Sequence, residues 1–277
     1  MTIAGCDVSS FQQEPRNWLP IAGKIAYGAV KITEYSAGAR KYENPYCGAD
    51  WAALKAAGLG RVAYCFAHPA APVRASVTYF LDVLDGLGLH DDDMIALDYE
   101  VSDGLIPRNA AEWALAALEL ISETTGRPCI LYTFRSFADE GYCAGLGGHP
   151  LWLADPSSPP GHPSVPAPWH DWSLHQWDLA SPLDRDVANF PSLAAMRSAL
   201  GRKEPKVTIA SLKTDGKTSL AQLAAGHKAA VSTILRLTAE HGKFDPPTAA
   251  YIDDVFSGKL PASAPVPAGA LLWVPVS

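Results

Sequence analysis

Up to about residue 200, short apolar runs alternate with longer stretches in which apolar residues recur at helical spacing. The predicted strands cover residues 3–8, 25–31, 61–66, 94–98, 129–133, 151–154 and 172–177. The predicted helices cover residues 45–57, 74–87 and 109–125, the last with Asn109 as N-cap and Gly126 as its stop. Strands that alternate with helices favour an α/β fold with a parallel sheet or a β/α barrel.

The pattern changes after a short charged stretch that contains a proline, at residues 201–206. This stretch reads as a linker between a domain at 1–200 and a smaller one at 207–277. The smaller domain is predicted as α+β. Its predicted elements are strands at 206–211 and 270–276 and helices at 219–225 and 231–240.

Composition excludes several classes of protein. Of the 277 residues, 48% are hydrophobic and 18% are charged, which supports a large core. The net charge of −7 and the lack of a basic block argue against nucleic acid as a partner. No apolar run is long enough to span a membrane, and the first residues do not resemble a signal peptide. The five cysteines lack zinc-site spacing, so they predict no zinc site.

The strongest chemical signal is Asp98-Tyr99-Glu100, which closes the apolar run 94–97. Residues two apart on a strand point the same way, so both acids would share one face at the carboxyl end of the strand. Active sites of β/α barrels form at that end. Crowded carboxylates have pKa values that move apart, so one can stay protonated as an acid, as glycoside cleavage requires. Acids also end strands simply because solvent begins there.

Several ordered segments, taken together, resemble the family 25 glycoside hydrolases, lysozymes that cleave bacterial peptidoglycan. These segments are GCDVS at 5–9, VKITE at 30–34, AAGL at 56–59, AYCF at 63–66, DYE at 98–100, LYT at 131–133, LWLA at 151–154, HQW at 175–177 and DRD at 184–186. The resemblance implies a modified TIM-like (β/α) barrel with an acidic groove at the carboxyl ends of its strands, and it implies no metal or organic cofactor.

The resemblance also implies catalytic roles. Glu100 would be the general acid, and Asp98 would stabilise the oxocarbenium charge or orient the substrate N-acetyl group. Asp7 would point into the same groove, although it could instead cap the next segment. Asp184 is preferred over Asp186 as the last acid of the cluster, and Asp186 is kept as a substrate-binding candidate.

The remaining candidates would bind substrate. Flat side chains pack on the apolar faces of sugar rings, and Tyr64, Tyr132 and Trp152 occur near predicted strand ends. Trp152 could equally be core. Gln176 could hydrogen-bond a sugar, and Glu34 could line the groove rim or pair with Lys31. One departure from the family pattern is Cys65, which stands where a histidine is usual. The absence of that histidine would remove a polar group at or behind the groove.

Residues 207–277 resemble a divergent LysM carbohydrate-binding module, with an additional stretch at about 239–265. The whole chain would then be a muramidase, and a monomeric phage endolysin held in the host cytoplasm until its release to the cell wall. Two alternatives stay open. The barrel could be an inactive peptidoglycan-binding protein, or it could hydrolyse another N-acetylhexosamine polysaccharide.

Overall fold

The structure is a computed structural model of the 277-residue chain. It describes residues 1–12, 16–179 and 183–202, and beyond these 208–213, 217, 219, 221–223, 251, 254–255, 261, 263, 265–266 and 271–276. The chain divides into two compact units, Met1–Lys203 and Glu204–Ser277. No helix of the described residues is long and apolar enough to cross a membrane.

The first unit contains a nine-stranded sheet. Its strands are β1 (Ile3–Val8), β2 (Tyr27–Ser36), β3 (Arg40–Glu43), β4 (Gly60–Phe66), β5 (Met94–Asp98), β6 (Cys129–Phe134), β7 (Leu151–Ala154), β8 (Leu174–Asp178) and β9 (Asp184–Ala188). Because β1 pairs with both β2 and β9, eight of the strands close into a barrel, and β3 pairs with β2 alone. The predicted α/β barrel is confirmed.

Barrel strands are parallel except β9, which runs antiparallel to both of its neighbours, β8 and β1. The helices of this unit are α1 (Cys47–Ala56), α2 (Val73–Gly86), α3 (Pro107–Thr125), the single turn α4 (Arg135–Phe137) and α5 (Leu193–Leu200). A 3-10 turn covers Ser10–Gln12, and a π-helical turn covers Ala138–Tyr142. The antiparallel β9 departs from the all-parallel pattern that strand–helix alternation favours.

Among the elements whose ends differ from the prediction, α3 and β2 have a clear physical reason. Asn109 is not the N-cap of α3, because the helix already begins at Pro107, whose fixed φ suits the first helical position. Gly126 ends the helix as predicted, in the left-handed conformation with φ 67°. The second strand runs beyond residue 31 to Ser36, because the hairpin partner β3 supplies hydrogen bonds to its second half.

Alternation along the strands separates two cores. Inside the barrel lie the side chains of Tyr27, Ala29, Val62, Tyr64, Met94, Ala96, Ile130, Trp152 and Leu174, and Met196 and Leu200 of α5 pack against them. The other core lies on the outer faces of the strands, against α1, α2 and α3. Adjacent residues on a strand therefore point their side chains into different cores, because side chains alternate between the two faces of a strand.

The second unit contains an antiparallel pair, β10 (Thr208–Lys213) and β11 (Leu271–Val276). Residues 221–223 are helical, and Ser219 forms an isolated bridge with Pro265. The predicted helix at 231–240 and most of the predicted linker at 201–206 lie outside the described residues.

Candidate active site

A pocket opens at the carboxyl ends of the parallel barrel strands, where β/α barrels carry their active sites. Its lining side chains are Asp7, Ser9, Phe11, Lys31, Tyr64, Phe66, Asp98, Glu100, Tyr132, Trp152, Gln176, Leu179 and Asp184. Four of these are acids, and all four were predicted to be catalytic. No group of the described residues has the makeup of a metal site.

Asp98 and Glu100 lie together at the end of β5. Asp98 is buried and Glu100 half-buried, and the Oδ1 atom of Asp98 has no hydrogen-bond partner among the described residues. Burial and the charge of Glu100 raise the pKa of Asp98 well above its usual range. Burial also raises the pKa of Glu100, against the opposing charge of Lys31. The pair can therefore keep a proton at a pH where an exposed carboxyl has lost it.

Lys31 is a buried cation beside this pair. It extends from β2 on the same face as Tyr27 and Ala29, forms an ion pair with Glu34, and lies 4.7 Å from the ring centroid of Phe66. Glu34 also approaches His68, at 3.6 Å, and is not among the side chains that line the pocket. In the structure Glu34 therefore pairs with Lys31, and it is Lys31 rather than Glu34 that lines the pocket.

Asp7 is held at the pocket by an ordered chain of hydrogen bonds. The hydroxyl of Tyr132 donates to Oε1 of Gln176 at 2.8 Å, and Nε2 of Gln176 donates to Oδ2 of Asp7 at 2.7 Å. Burial and the charge of Asp184 raise the pKa of Asp7 to about 7. Among the described residues, Gln176 therefore uses its carbonyl oxygen and one side-chain N–H, which leaves its other N–H for a ligand.

Asp184 and Asp186 share the inward face of β9 but lie at different depths. Asp184 pairs with Asp7 in the β1–β9 register and lines the pocket, whereas Asp186 pairs with Gly5, one step deeper. Asp186 is 1% exposed and is not among the residues of the pocket lining. Of the two acids, Asp184 is the one at the pocket, as preferred. Burial and Asp178 raise the pKa of Asp184.

The predicted aromatic residues form the floor of the pocket. Trp152 is 2% exposed, and its ring makes edge contacts with Tyr64 at 6.0 Å and with Tyr132 at 5.0 Å between centroids. The hydroxyl of Tyr64 donates to the carbonyl of Val8. Trp152 is thus both core and pocket floor, so the two alternatives for it are not exclusive.

Sequence reasoning missed five lining residues: Ser9, Phe11, Lys31, Phe66 and Leu179. Phe66 could have been found, because it is two residues from Tyr64 on the same strand. Phe11 is 85% exposed on the turn after β1 and carried no periodic signal. Cys65 packs in the outer core and does not line the pocket, so this departure removes no side chain from the pocket lining.

Comparison with known proteins agrees with this geometry. The model of the Glycosyl hydrolases family 25 matches residues 6–184. The bacterial lysozyme from Streptomyces coelicolor is 22% identical, with a TM-score of 0.61 over 71% of this chain and 96% of that one. The family GH25 lysozyme from Aspergillus fumigatus is also 22% identical, with a TM-score of 0.61 over 73% of this chain and 100% of that one.

A third similar structure is the catalytic domain of endolysin ply40 from bacteriophage P40 of Listeria monocytogenes. It is 16% identical, with a TM-score of 0.57 over 71% of this chain and 98% of that one. At such identities the structures show the fold alone, and a search of curated proteins finds no match. The family model nevertheless covers more than half of the chain, and it includes the strand ends that carry Asp7, Asp98, Glu100 and Asp184. The chain therefore belongs to family 25 of the glycosyl hydrolases.

Proposed function

We propose that the chain is an N-acetylmuramidase, which hydrolyses the β-1,4 bond between N-acetylmuramic acid and N-acetylglucosamine in bacterial peptidoglycan. The observation that carries the proposal is the pair Asp98 and Glu100, which meets Asp7 and Asp184 in one pocket at the open end of the barrel. Support for the substrate comes from the similar structures that are described as lysozymes and muramidases.

Glu100 is the general acid in this proposal. It is the more exposed member of the pair, so its carboxyl group can reach a glycosidic oxygen in the pocket. Glu100 gives its proton to that oxygen as the bond to the anomeric carbon breaks, and the departing sugar leaves as an alcohol. A bound glycan removes further water from Glu100, which raises its pKa in the same direction as burial already does.

Asp98 acts on the sugar that keeps the anomeric carbon. Its Oδ1 atom has no hydrogen-bond partner in the described part of the chain, so it can accept the N–H of the substrate acetamido group. The acetamido oxygen is then aimed at the anomeric carbon, whose positive charge develops among Asp98, Asp7 and Asp184. A water molecule completes hydrolysis and returns a proton to Glu100.

The test is digestion of purified peptidoglycan by the wild-type chain and by Glu100→Gln, followed by mass analysis of the released ends. New reducing ends on N-acetylmuramic acid, nearly lost in Glu100→Gln, are expected. Glu112→Gln is the matched control, because Glu112 is exposed on α3 and pairs with Arg108 away from the pocket. Digestion that survives in Glu100→Gln refutes the assignment of the acid. Binding without digestion by the wild type indicates an inactive barrel, and cleavage of chitin alone indicates another substrate.

We further propose the division into a catalytic domain at 1–200, a linker at 201–206 and a LysM-like wall-binding domain at 207–277. The chain would act as a monomeric phage endolysin, held in the host cytoplasm until its release to the cell wall. Amide signals of residues 207–277 in full-length Glu100→Gln should shift when N-acetylglucosamine oligomers are added. Signals that do not move would exclude the wall-binding role, and a chromosomal gene with an upstream secretion signal would exclude the phage origin.

A further inference from the structure

Asp186 lies beneath the pocket, in contact with the residues that hold Asp7. It pairs with Gly5 of β1 and with Gln176 of β8 in the sheet registers. The Nε1 of Trp152 donates to its Oδ1 at 2.8 Å. Gly5 is required here, because a Cβ atom at this position would lie 2.2 Å from the ring of Tyr27. Tyr27 therefore packs directly against β1 at the residue opposite Asp186.

The second oxygen of Asp186, Oδ2, is buried and accepts no hydrogen bond from any described residue. Asp7 lies two residues beyond Gly5 on the same face of β1, so the two carboxyl groups are neighbours inside the barrel, and the charge of Asp7 acts on Asp186. Two ionised carboxylates placed this way would repel each other without water to screen them. A single proton on Oδ2 removes the repulsion and explains why that oxygen accepts nothing, because it is then the donor.

The proton belongs on Asp186 rather than on Asp7. Asp7 opens onto the pocket and receives the N–H of Gln176, which stabilises a carboxylate. Burial and the charge of Asp7 raise the pKa of Asp186 well above its usual range. The titratable groups that interact electrostatically with Asp186 are acids, a thiol or phenols: Asp7, Asp184, Cys6, Tyr27 and Tyr132. The neighbouring Arg185 points outward and pairs with Asp178.

We propose that Asp186 is a neutral carboxylic acid that donates a hydrogen bond to Asp7 and so keeps Asp7 ionised and fixed at the pocket. Asp186 is then a positioning residue and does not contact substrate, which differs from the substrate-binding role expected from the sequence. The functional consequence rests on the muramidase proposal, because it concerns how Asp7 is presented to the glycan. The protonation pattern itself does not depend on that proposal.

Asparagine is the matched replacement for a protonated aspartate. In Asp186→Asn the amide oxygen accepts from Trp152 and the amide N–H donates to Asp7, so both contacts are preserved. Leucine has a similar size and supplies neither contact. The pKa of Asp7, from carboxyl carbon-13 NMR of the full chain, should stay unchanged in Asp186→Asn. It should rise by about one unit in Asp186→Leu, where the donor is lost.

The wild-type chain gives a test that needs no variant and no turnover. The Asp186 carboxyl carbon should keep the chemical shift of the protonated form between pH 5 and 8, the window in which Asp7 titrates. A chemical shift of the ionised form throughout that range would overturn the proposal. So would a lower pKa of Asp7 in Asp186→Asn, since that drop means a negative charge has been removed.

Measurements of turnover can fail for the proposed function and for this inference in different ways. If the wild type cleaves peptidoglycan, Asp186→Asn should keep KM and the acid side of its kcat/KM profile, whereas Asp186→Leu should move that side to higher pH. A KM that rises about tenfold in Asp186→Asn with an unchanged profile would identify a substrate contact instead and refute the positioning role. If the wild type is inactive, the NMR result still decides the protonation of Asp186.

Discussion

The charge of Lys31 provides a strict test of the proposed acid. Lys31 is 6% exposed, lines the pocket, and lowers the pKa of both Asp98 and Glu100 against the effect of burial. Replacing it by methionine keeps most of the length of the side chain and removes the charge. Both acids then lose a favourable interaction of their ionised forms, so the pKa of each rises.

The expected size follows from the surroundings of Lys31. A nearby opposite charge lowers a carboxyl pKa by about 1–3 units, and Lys31 shares its charge with Glu34, so we expect about one unit. The general acid must hold its proton, so activity falls as pH rises through its pKa. Lys31→Met should therefore move the basic side of the kcat/KM profile about one unit to higher pH.

Glu34→Gln is the matched control with the opposite sign. It releases Lys31 from its ion pair, so more of the positive charge acts on the acids and the basic side should move to lower pH. Soluble peptidoglycan fragments serve as substrate, and melting temperatures confirm that both variants are folded. The basic side of the kcat/KM profile could instead stay in place in Lys31→Met, or move in the same direction in both variants. Either result refutes the assignment of Glu100 as the general acid whose pKa Lys31 lowers.

Two further predictions concern stability. Burial makes Asp98 harder to ionise in the folded chain than in the unfolded chain, so the ionised form that the mechanism uses reduces stability as pH rises toward the folded pKa. Asp98→Asn should thus raise the melting temperature at pH 8 but not at pH 4, and abolish turnover; a pH-independent effect would contradict this. Arg61 forms a buried ion pair with Asp93 and packs 4.1 Å from the centroid of Trp51. Arg61→Met should cost about 3–5 kcal/mol in urea unfolding, and adding Asp93→Leu should recover most of that loss; a double variant no more stable than the single one would argue against an uncompensated charge.

The strand ends were predictable because each carries its own local signal. The run 94–97 is apolar and is closed by Asp98, and the period of two then places Glu100 at the same end. Phe66 follows from Tyr64 by the same rule. Depth along the barrel was not predictable, because it depends on how neighbouring strands align. Sequence spacing does not distinguish Asp184 from Asp186, since both face inward.

What separates those two acids is the direction of β9. Because β9 is antiparallel to β1, the chain enters the barrel at the pocket, with Asp184 opposite Asp7, and the next inward residue lies one step deeper, opposite Gly5. A parallel strand would reverse that order and bring Asp186 to the pocket. The same reasoning explains why an acid can face inward and still not meet substrate. The direction and register of β9 are properties of the closed barrel. They explain why four acids line the pocket while Asp186 lies below it and supports Asp7.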